Sequence, residues 1–488
     1  MYNIIHTYMS SHSSSKKHAK TNTPASSLFI PLRTRLSDKD LLHLFRRLFP
    51  KPLPARWLAP GSFYNRAFTP LITLWYLALE RLLDAPSLNR VLCDARAGGA
   101  DSLSPPGKRL SRQLRSRSTA SLSDGRKRLP LEAVHQALRH CGSQIRSWVQ
   151  GGLWLGLHVV LLDGTTFRVR PHNDIPTRFR AHRSGKNSKP YWCLARVVVG
   201  FCLATGVALN CAIDSTQLSE QALALRLMAS GWVNTLFVAD RNFGIYSFAR
   251  GASAAKAHIL VRLTRCRALK LAKAGAFPFQ EGLDQFLAWV PSRHDQCPQQ
   301  LDKIPVPGRL LVMRVHRRGF RSLTLYLFTT LLDPKTYSPQ ALVELYGCRW
   351  QVELNLRYVK SQMKLDALEC KSADMARKQW IGGLIAYNLV RAVMTAAAAK
   401  AQIPVSSLSF NRSRHALVCW LIRWADKPLA IAPWKRLLRE VAHYSHPRRP
   451  KPRPPEPRAI RYFKKDVPKL TGNRAAARKI LTMTNAKS

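Results

Sequence analysis

The spacing of apolar positions changes near residue 155. From LSDKDLLHLF to VLCDARAGG they recur at helical spacing, and FTPLITLWYLALERLL is the strongest such stretch. A Pro/Gly/Ser-rich, strongly basic zone follows, and SDGRKRLPLEAVHQALRH reads as a turn feeding a helix. LHVVLLDG is then a short, β-branched apolar run ending in Asp163-Gly164, the pattern of a buried strand. YWCLARVVVGF and VALNCAI form a hairpin about Ala204-Thr205-Gly206. TQLSEQALALRLMAS is helical, VNTLFVAD is a strand ending in Asp240, NFGIYSFARGASA is helical, and HILVRLT is a fifth strand. Residues 266 to 308 are mixed and irregular. GRLLVMRVHRRGF and RSLTLYLFTTLL form a further strand pair, and helices close the chain in AYNLVRAVMTAAAAK and LVCWLIRWADKPLAIAPWKRLLREVAHY.

One later stretch combines two faces. Ser338 as N-cap and Pro339 at the first position open a helix that runs through YGCRWQVELNLRYVK. At about 100° per residue, Tyr346, Arg349, Glu353, Arg357 and Lys360 fall on one polar stripe. Leu345, Val352, Leu356, Val359 and Met363 fall roughly opposite. Taken alone, such a stripe is more often a solvated charged face than a site.

Charge sharpens the picture. The 488 residues carry 78 Lys and Arg against 27 Asp and Glu, a formal charge of +51. Such a body repels itself without a polyanion, and nucleic acid is the leading partner because phosphate contacts release counterions. An anionic membrane surface is the rival, but the basic residues run along the whole chain rather than along one amphipathic helix. Ten cysteines include no C-x-x-C pair, which disfavours a zinc ribbon or finger and suits a reducing compartment. The N-terminus lacks the order of a signal peptide. The longest apolar stretch, IGGLIAYNLVRAVMTAAAA, contains Asn388 and Arg391 and reads as a buried helix. A soluble, intracellular protein is expected.

The expected organisation is a disordered tail (1–35), a basic helical region suited to binding DNA ends (36–150), an α/β domain (151–400) with a β-rich insertion at about 266–320, a helical region (401–445) and a basic Pro-rich tail (446–488). Any single Arg of the 36–150 region reads equally well as part of a solvated linker.

Two strands ending in Asp163 and Asp240 would bring two carboxylates together if they are sheet neighbours, and Glu353 on a crossing helix would supply a third. Three carboxylates repel unless cations lie between them. Mg²⁺ prefers oxygen ligands and completes its shell with water and phosphate. Two such ions about 4 Å apart suit in-line phosphodiester chemistry. Each aspartate alone is as well explained as a turn former or helix cap. The order strand-Asp, hairpin, helix, strand-Asp, later helix-Glu is more specific. It matches a ribonuclease-H-like mixed sheet with helices on both faces, an insertion before the last catalytic helix and an N-terminal helical region.

Tyr346-x2-Arg349-x3-Glu353-x6-Lys360 fits the signature Y-(2)-R-(3)-E-(6)-K, LLDGTTF is similar to a first-aspartate motif, and FVADRNFG to a second. On these motifs the chain, over roughly residues 60 to 400, resembles the DDE transposases of the insertion sequence four family. The resemblance implies that Asp163, Asp240 and Glu353 bind two Mg²⁺ ions, with Mn²⁺ as a substitute, and that Tyr346, Arg349 and Lys360 contact end phosphates. Arg357 and Lys364 would extend that contact by geometry alone. It also implies cleavage at terminal inverted repeats, joining of the 3′-hydroxyl to target DNA, a homodimer in a synaptic complex, no membrane, and a bacterial, nucleoid-associated cytoplasmic location. Trp289, the one tryptophan of the insertion, reads as core packing. A ribonuclease-H-like nuclease or resolvase without strand transfer, and an inactive or domesticated DNA-binding protein, are the alternatives.

Overall fold

The computed structural model describes residues 32–58, 67–84, 87–115, 117–182, 192–293, 295, 301–317, 320–424, 430–443 and 472–486. Nearly all of the expected N-terminal tail, and the Pro-rich part of the C-terminal one, lie outside these residues. Helices α1 (Asp38–Arg46), α2 (Pro70–Leu82), α3 (Leu88–Arg96), α4 (Leu110–Gln113), α5 (Ala120–Arg128) and α6 (Leu131–Ser147) precede the strands. Helices α7 (Ile175–Arg178), α8 (Glu220–Met228), α9 (Tyr246–Ala254) and α10 (Arg265–Ala274) alternate with them. Helices α11 (Pro339–Gly347), α12 (Gln351–Arg357), α13 (Ala373–Ala401), α14 (Phe410–Trp424) and α15 (Ile431–His443) follow. A second unit, residues 316–323 with 446–488, contains helix α16 (Arg474–Ala486).

Ten strands form one mixed sheet: β1 (His158–Val169), β2 (Arg180–His182), β3 (Trp192–Cys202), β4 (Ala208–Ser215), β5 (Thr235–Ala239), β6 (His258–Arg262), β7 (Leu283–Trp289), β8 (Val306–Arg317), β9 (Phe320–Thr329) and β10 (Ala367–Leu368). β1, β3 and β4 are an antiparallel meander, whereas β5 and β6 run parallel to β1 on its other side. This is the ribonuclease-H-like arrangement. Every residue of β5, and Val159 to Leu162 of β1, is buried, so both faces of the sheet centre are covered. The insertion adds strands to the same sheet: β9 pairs antiparallel with β6, and β8 and β7 lie beyond it. Trp289 of β7 is buried edge-on against Phe328, 4.8 Å between ring centres.

The N-terminal helices pack directly on this core. α2 starts at Thr69, whose hydroxyl caps the Ile72 N–H, and at Pro70. It lies against α13, and α6 packs on both α13 and β4. Glycines allow the closest approaches: a Cβ at Gly382 would lie 2.7 Å from Leu77 Cγ, and one at Gly142 would lie 2.7 Å from the Ala208 carbonyl oxygen. By length and composition α13 could cross a membrane, yet its apolar window is entirely buried inside the protein.

Three local expectations are corrected. SDGRKR is not a turn but most of α5, which ends before Pro130. β1 does not stop at Asp163-Gly164; it continues through TTFRV because β3 pairs with it over that whole length. The segment carrying the polar stripe is not one uniform helix. A tight turn at Cys348–Trp350 joins α11 to α12, and a widened π-type turn at Tyr358–Gln362 ends it. Leu345, Val352, Leu356, Val359 and Met363 are nevertheless all buried, as an amphipathic segment requires.

Glu80 of α2 and Arg126 of α5 form a buried ion pair at 2.9 Å, both side chains 6% exposed. Glu80→Ala would strand the guanidinium without its partner, so a loss of about 3–5 kcal/mol is expected. Chemical denaturation of the native and variant chains measures it.

Candidate active site

The sheet register places two aspartates side by side. Parallel β1 and β5 pair through Leu161 and Val238 and then part. Asp163 and Asp240 each lie two residues further on, so the same register brings them level where the strands separate. Each is held by its own local backbone: Asp163 Oδ1 accepts the Gly164 N–H at 2.8 Å, and Asp240 Oδ1 accepts the Asn242 N–H at 2.8 Å.

The helical segment brings its stripe to this point. Arg349 is 8% exposed. It donates from Nη2 to Glu353 Oε1 at 2.7 Å, while its Nη1 lies 3.8 Å from Asp163 Oδ2. Tyr346, also buried, interacts with Arg349 and lies within the fields of Arg262 and Asp240. Tyr346, Arg349, Asp163, Asp240 and Glu353 therefore belong to one electrostatic cluster, in which Glu353 is the most exposed of the pair it forms with Arg349.

Lys360 lies beside them on a different set of partners. Its Nζ is 2.9 Å from Asp366 Oδ1, 3.1 Å from the Thr166 carbonyl oxygen and 3.4 Å from Thr165 Oγ1. Asp366 is shared, because Arg168 Nη2 donates to its Oδ2 at 2.6 Å. Asp163, Thr165, Glu353, Arg357, Lys360 and Asp366 line one open cleft. The exposed Arg357 is stacked toward Tyr358, its guanidinium 6.0 Å from the ring centre. Lys364 does not continue the stripe. The helical turns end at Gln362, Lys364 has φ of 51°, and its Nζ is 3.7 Å from Asp84 Oδ1 beyond the end of α2. The left-handed backbone at the helix exit turns its side chain away from the phase that the stripe assumes.

Burial dominates the electrostatics. It pushes the Asp163 carboxyl up to about 7; the Gly164 N–H and Arg349 oppose the shift, and the charges of Asp240 and Glu220 add to it. Burial likewise raises the Tyr346 phenol to about 12. It works against the Arg349 charge, but Tyr346, Glu353 and Asp163 outweigh it and hold the guanidinium above its ordinary value. Burial also opposes ionisation of Asp366, but Lys360 and Arg168 outweigh it and hold that carboxyl below its ordinary range.

Among the described residues no three His, Cys, Asp or Glu side chains are gathered tightly enough to coordinate one metal ion as they stand. Arg349 lies between Asp163 and Glu353 and supplies the positive charge that two nearby carboxylates require. The donor set nonetheless suits a hard divalent cation. Asp163, Asp240 and Glu353 offer only oxygen, and the raised Asp163 carboxyl marks a place where a further cation would be favourable.

Two groups of partners lie outside the sequence reading. Asp366 anchors Lys360, and Glu220 together with Asn242 borders Asp163 and Asp240. Glu220 follows the N-cap Ser219, so its sequence context signals only a helix start. Asp366 follows the helix end in a loop-like stretch without motif spacing.

The raised carboxyl of Asp163 gives a pH-dependent signature. Its unfolded value is near 3.8 and its folded value about 7, so its contribution to stability is lost as pH rises through 7. Asp163→Asn is therefore expected to stabilise the metal-free chain, by at most about 4 kcal/mol, and the gain should grow between pH 5 and pH 8. Denaturant melts of both chains in chelator across that range measure it.

A model described as the transposase DDE domain matches residues 154–389. The transposase InsG for insertion sequence element IS4 of Escherichia coli (strain K12) is 24% identical over 276 residues, 56% of this chain and 60% of that protein. Protein y4zB of Sinorhizobium fredii (strain NBRC 101917 / NGR234) is 25% identical over 160 residues, 32% of this chain and 41% of its own length. The matches thus span about 60% and 41% of these relatives. A solved structure, the piggyBac transposase synaptic complex with hairpin DNA, aligns over 90% of each chain at 12% identity and a TM-score of 0.38. Because the matched segment begins just before β1 and runs into α13, it takes in the entire sheet and the cluster around Arg349, so the part of the chain that holds this cluster is similar to the transposase DDE domain.

Proposed function

We propose that this chain binds the terminal inverted repeats of its own element, cleaves a phosphodiester at each end and joins the freed 3′-hydroxyl to target DNA, working as a homodimer on two ends. The observation that carries this reading is the juxtaposition of Asp163 and Asp240 with Arg349, which also holds Glu353. The formal charge of +51 supports a DNA partner.

Asp163, Asp240 and Glu353 are the residues that would hold divalent cations, with two Mg²⁺ as the natural occupants and Mn²⁺ as a substitute. Bound there, the cations would supply the charge that activates the attacking oxygen and stabilises the leaving one. The chain's own cations do the rest. Arg349 has a planar guanidinium beside the acids, able to take two phosphate oxygens at once and to offset charge that develops on them. Tyr346 stays a neutral phenol at working pH and acts as a hydrogen-bond donor. Lys360 and Arg357 flank the cleft and position the strand through phosphates. Lys364, turned toward Asp84, is left out of this set.

Two measurements test the reading. Asp163→Asn should retain DNA binding in a gel shift and lose Mg²⁺-dependent nicking, because the phosphate-contacting cations remain while an anionic ligand is gone. Undiminished nicking would exclude Asp163 as a ligand. Arg349→Ala should lower the single-turnover cleavage rate at saturating DNA by about a hundredfold. If it only weakened binding and cut at full speed once saturated, Arg349 would serve docking alone.

A further inference from the structure

Glu220 has no part in the proposed reaction, yet it touches the supports of both aspartates. Asn242 Nδ2 donates to Glu220 Oε2 at 2.6 Å, and the Asn242 backbone N–H donates to Asp240 Oδ1 at 2.8 Å. Gln221, the next residue of α8, holds the same asparagine from the other side. Its Nε2 donates to Asn242 Oδ1 at 2.7 Å and to the Asn242 carbonyl oxygen at 2.8 Å. The first turn of α8 thus fixes the loop that carries Asp240.

The same side chain rests against the aspartate strand. A Cβ at Gly164 would lie 2.7 Å from Glu220 Cδ and 2.8 Å from its Cγ and Oε1. A side chain at Gly164 would displace the Glu220 carboxylate from its place, so the glycine matters here for space rather than for backbone conformation. Gly164 is also the residue whose N–H holds Asp163 Oδ1. Glu220 is half-buried, and Ser219 rather than Glu220 caps the helix through the Ala222 N–H. Its carboxylate is free of the capping role usual for a first-turn acid and is spent on Asn242.

We propose that Glu220 is a positioning residue of the active centre. It holds Asp240 in place through Asn242, and it holds Asp163 in place by packing on Gly164. This inference rests on the reading of Asp163, Asp240 and Glu353 as the reacting set. It assigns Glu220 a hydrogen-bonding and packing role rather than direct contact with the substrate or the cations.

The test uses the full chain, supercoiled plasmid as the nicking substrate, and Mn²⁺ titrated calorimetrically into the DNA-free protein. Misplacement of a reacting group by about 1 Å costs on the order of a hundredfold in rate, and loss of a supporting hydrogen bond weakens metal binding by about 10–100-fold. Glu220→Ala should therefore lower the single-turnover nicking rate by about a hundredfold and weaken Mn²⁺ binding at least about tenfold, with plasmid affinity retained. Glu220→Gln keeps an oxygen that accepts from Asn242 and should restore most of both losses. Gly164→Ala should mimic Glu220→Ala, and the double variant should be no worse than Glu220→Ala alone, because both act through one contact. Asn242→Ala serves if Glu220→Ala fails to fold, and should reproduce its two losses. Native rate and Mn²⁺ affinity in Glu220→Ala would overturn the proposal, as would a Glu220→Gln as impaired as the alanine, since charge would then be what matters. If Asp163→Asn, Asp240→Asn and Glu353→Gln also nick normally, the underlying reading of the centre fails instead.

Discussion

Carboxylates brought together in a half-buried cleft repel one another, and the arrangement of this centre follows from how that repulsion is met. Two unit charges 4 Å apart interact by about 4 kcal/mol at the effective dielectric of a protein surface. Asp163 carries the burden most plainly, its carboxyl pushed up to about 7 by burial and further by Asp240 and Glu220. Arg349 is the compensation. It reaches Asp163 and Glu353 from a buried position, and its own ionisation is reinforced by the groups around it. For the guanidinium to stand there, α11, the tight turn and α12 must pack on the sheet through Leu345, Val352 and Leu356. α12 in turn is tied to the central helix α13, where Arg391 Nη2 donates to Asn355 Oδ1 at 2.6 Å. A local charge problem is therefore solved by an element that only the whole core can hold in position.

The other half of the solution lies in strand register. A parallel pair that separates after Leu161 and Val238 places the next outward groups level with each other, and those groups are Asp163 and Asp240. β1 remains paired on its far side to β3 through the separation, while β5 ends. One aspartate thus sits on a paired strand and the other on a short loop. The loop is the partner that needs external support, which Asn242 and the first turn of α8 supply.

Much of this was legible in the sequence, and the limits have physical causes. The succession of strands and helices and the hairpin at Gly206 follow from short β-branched runs separated by helical ones, because period and length report burial directly; that β1 and β5 are neighbours was only a condition of the reading, and the parallel register meets it. The strand end at Asp163 was misplaced because Asp-Gly is a strong turn signal, while pairing to β3 is a long-range fact that overrides it. Tyr346, Arg349 and Glu353 do share one side of the segment, across the tight turn at Cys348–Trp350, because the apolar residues opposite are buried, whereas Lys360 already lies within the widened turn. Lys364 leaves that side altogether, because the widened turn and the left-handed exit leave no apolar signature. Glu220 and Asp366 were invisible for another reason: Glu220 acts on Asn242 and Gly164, Asp366 joins the nearby Lys360 to the distant Arg168, and neither sits in a spacing that chemistry demands.

The cations of the cleft are also less available than a charge of +51 suggests. Arg349 is engaged by Glu353, and Lys360 and Arg168 share Asp366. Long-range attraction of a polyanion comes from the many basic residues elsewhere, whose contacts are screened and cost little to make. Contacts inside the cleft require that a phosphate outcompete a carboxylate already in place. Under the proposed function, binding strength and placement at the reacting bond are then carried by different residues. A chain this basic can adhere to any DNA, while the paired cations yield only to a phosphate delivered in the right geometry. Under that proposal, Asp366 and Glu353 would confine tight contact in the cleft to correctly seated ends, at some cost in affinity.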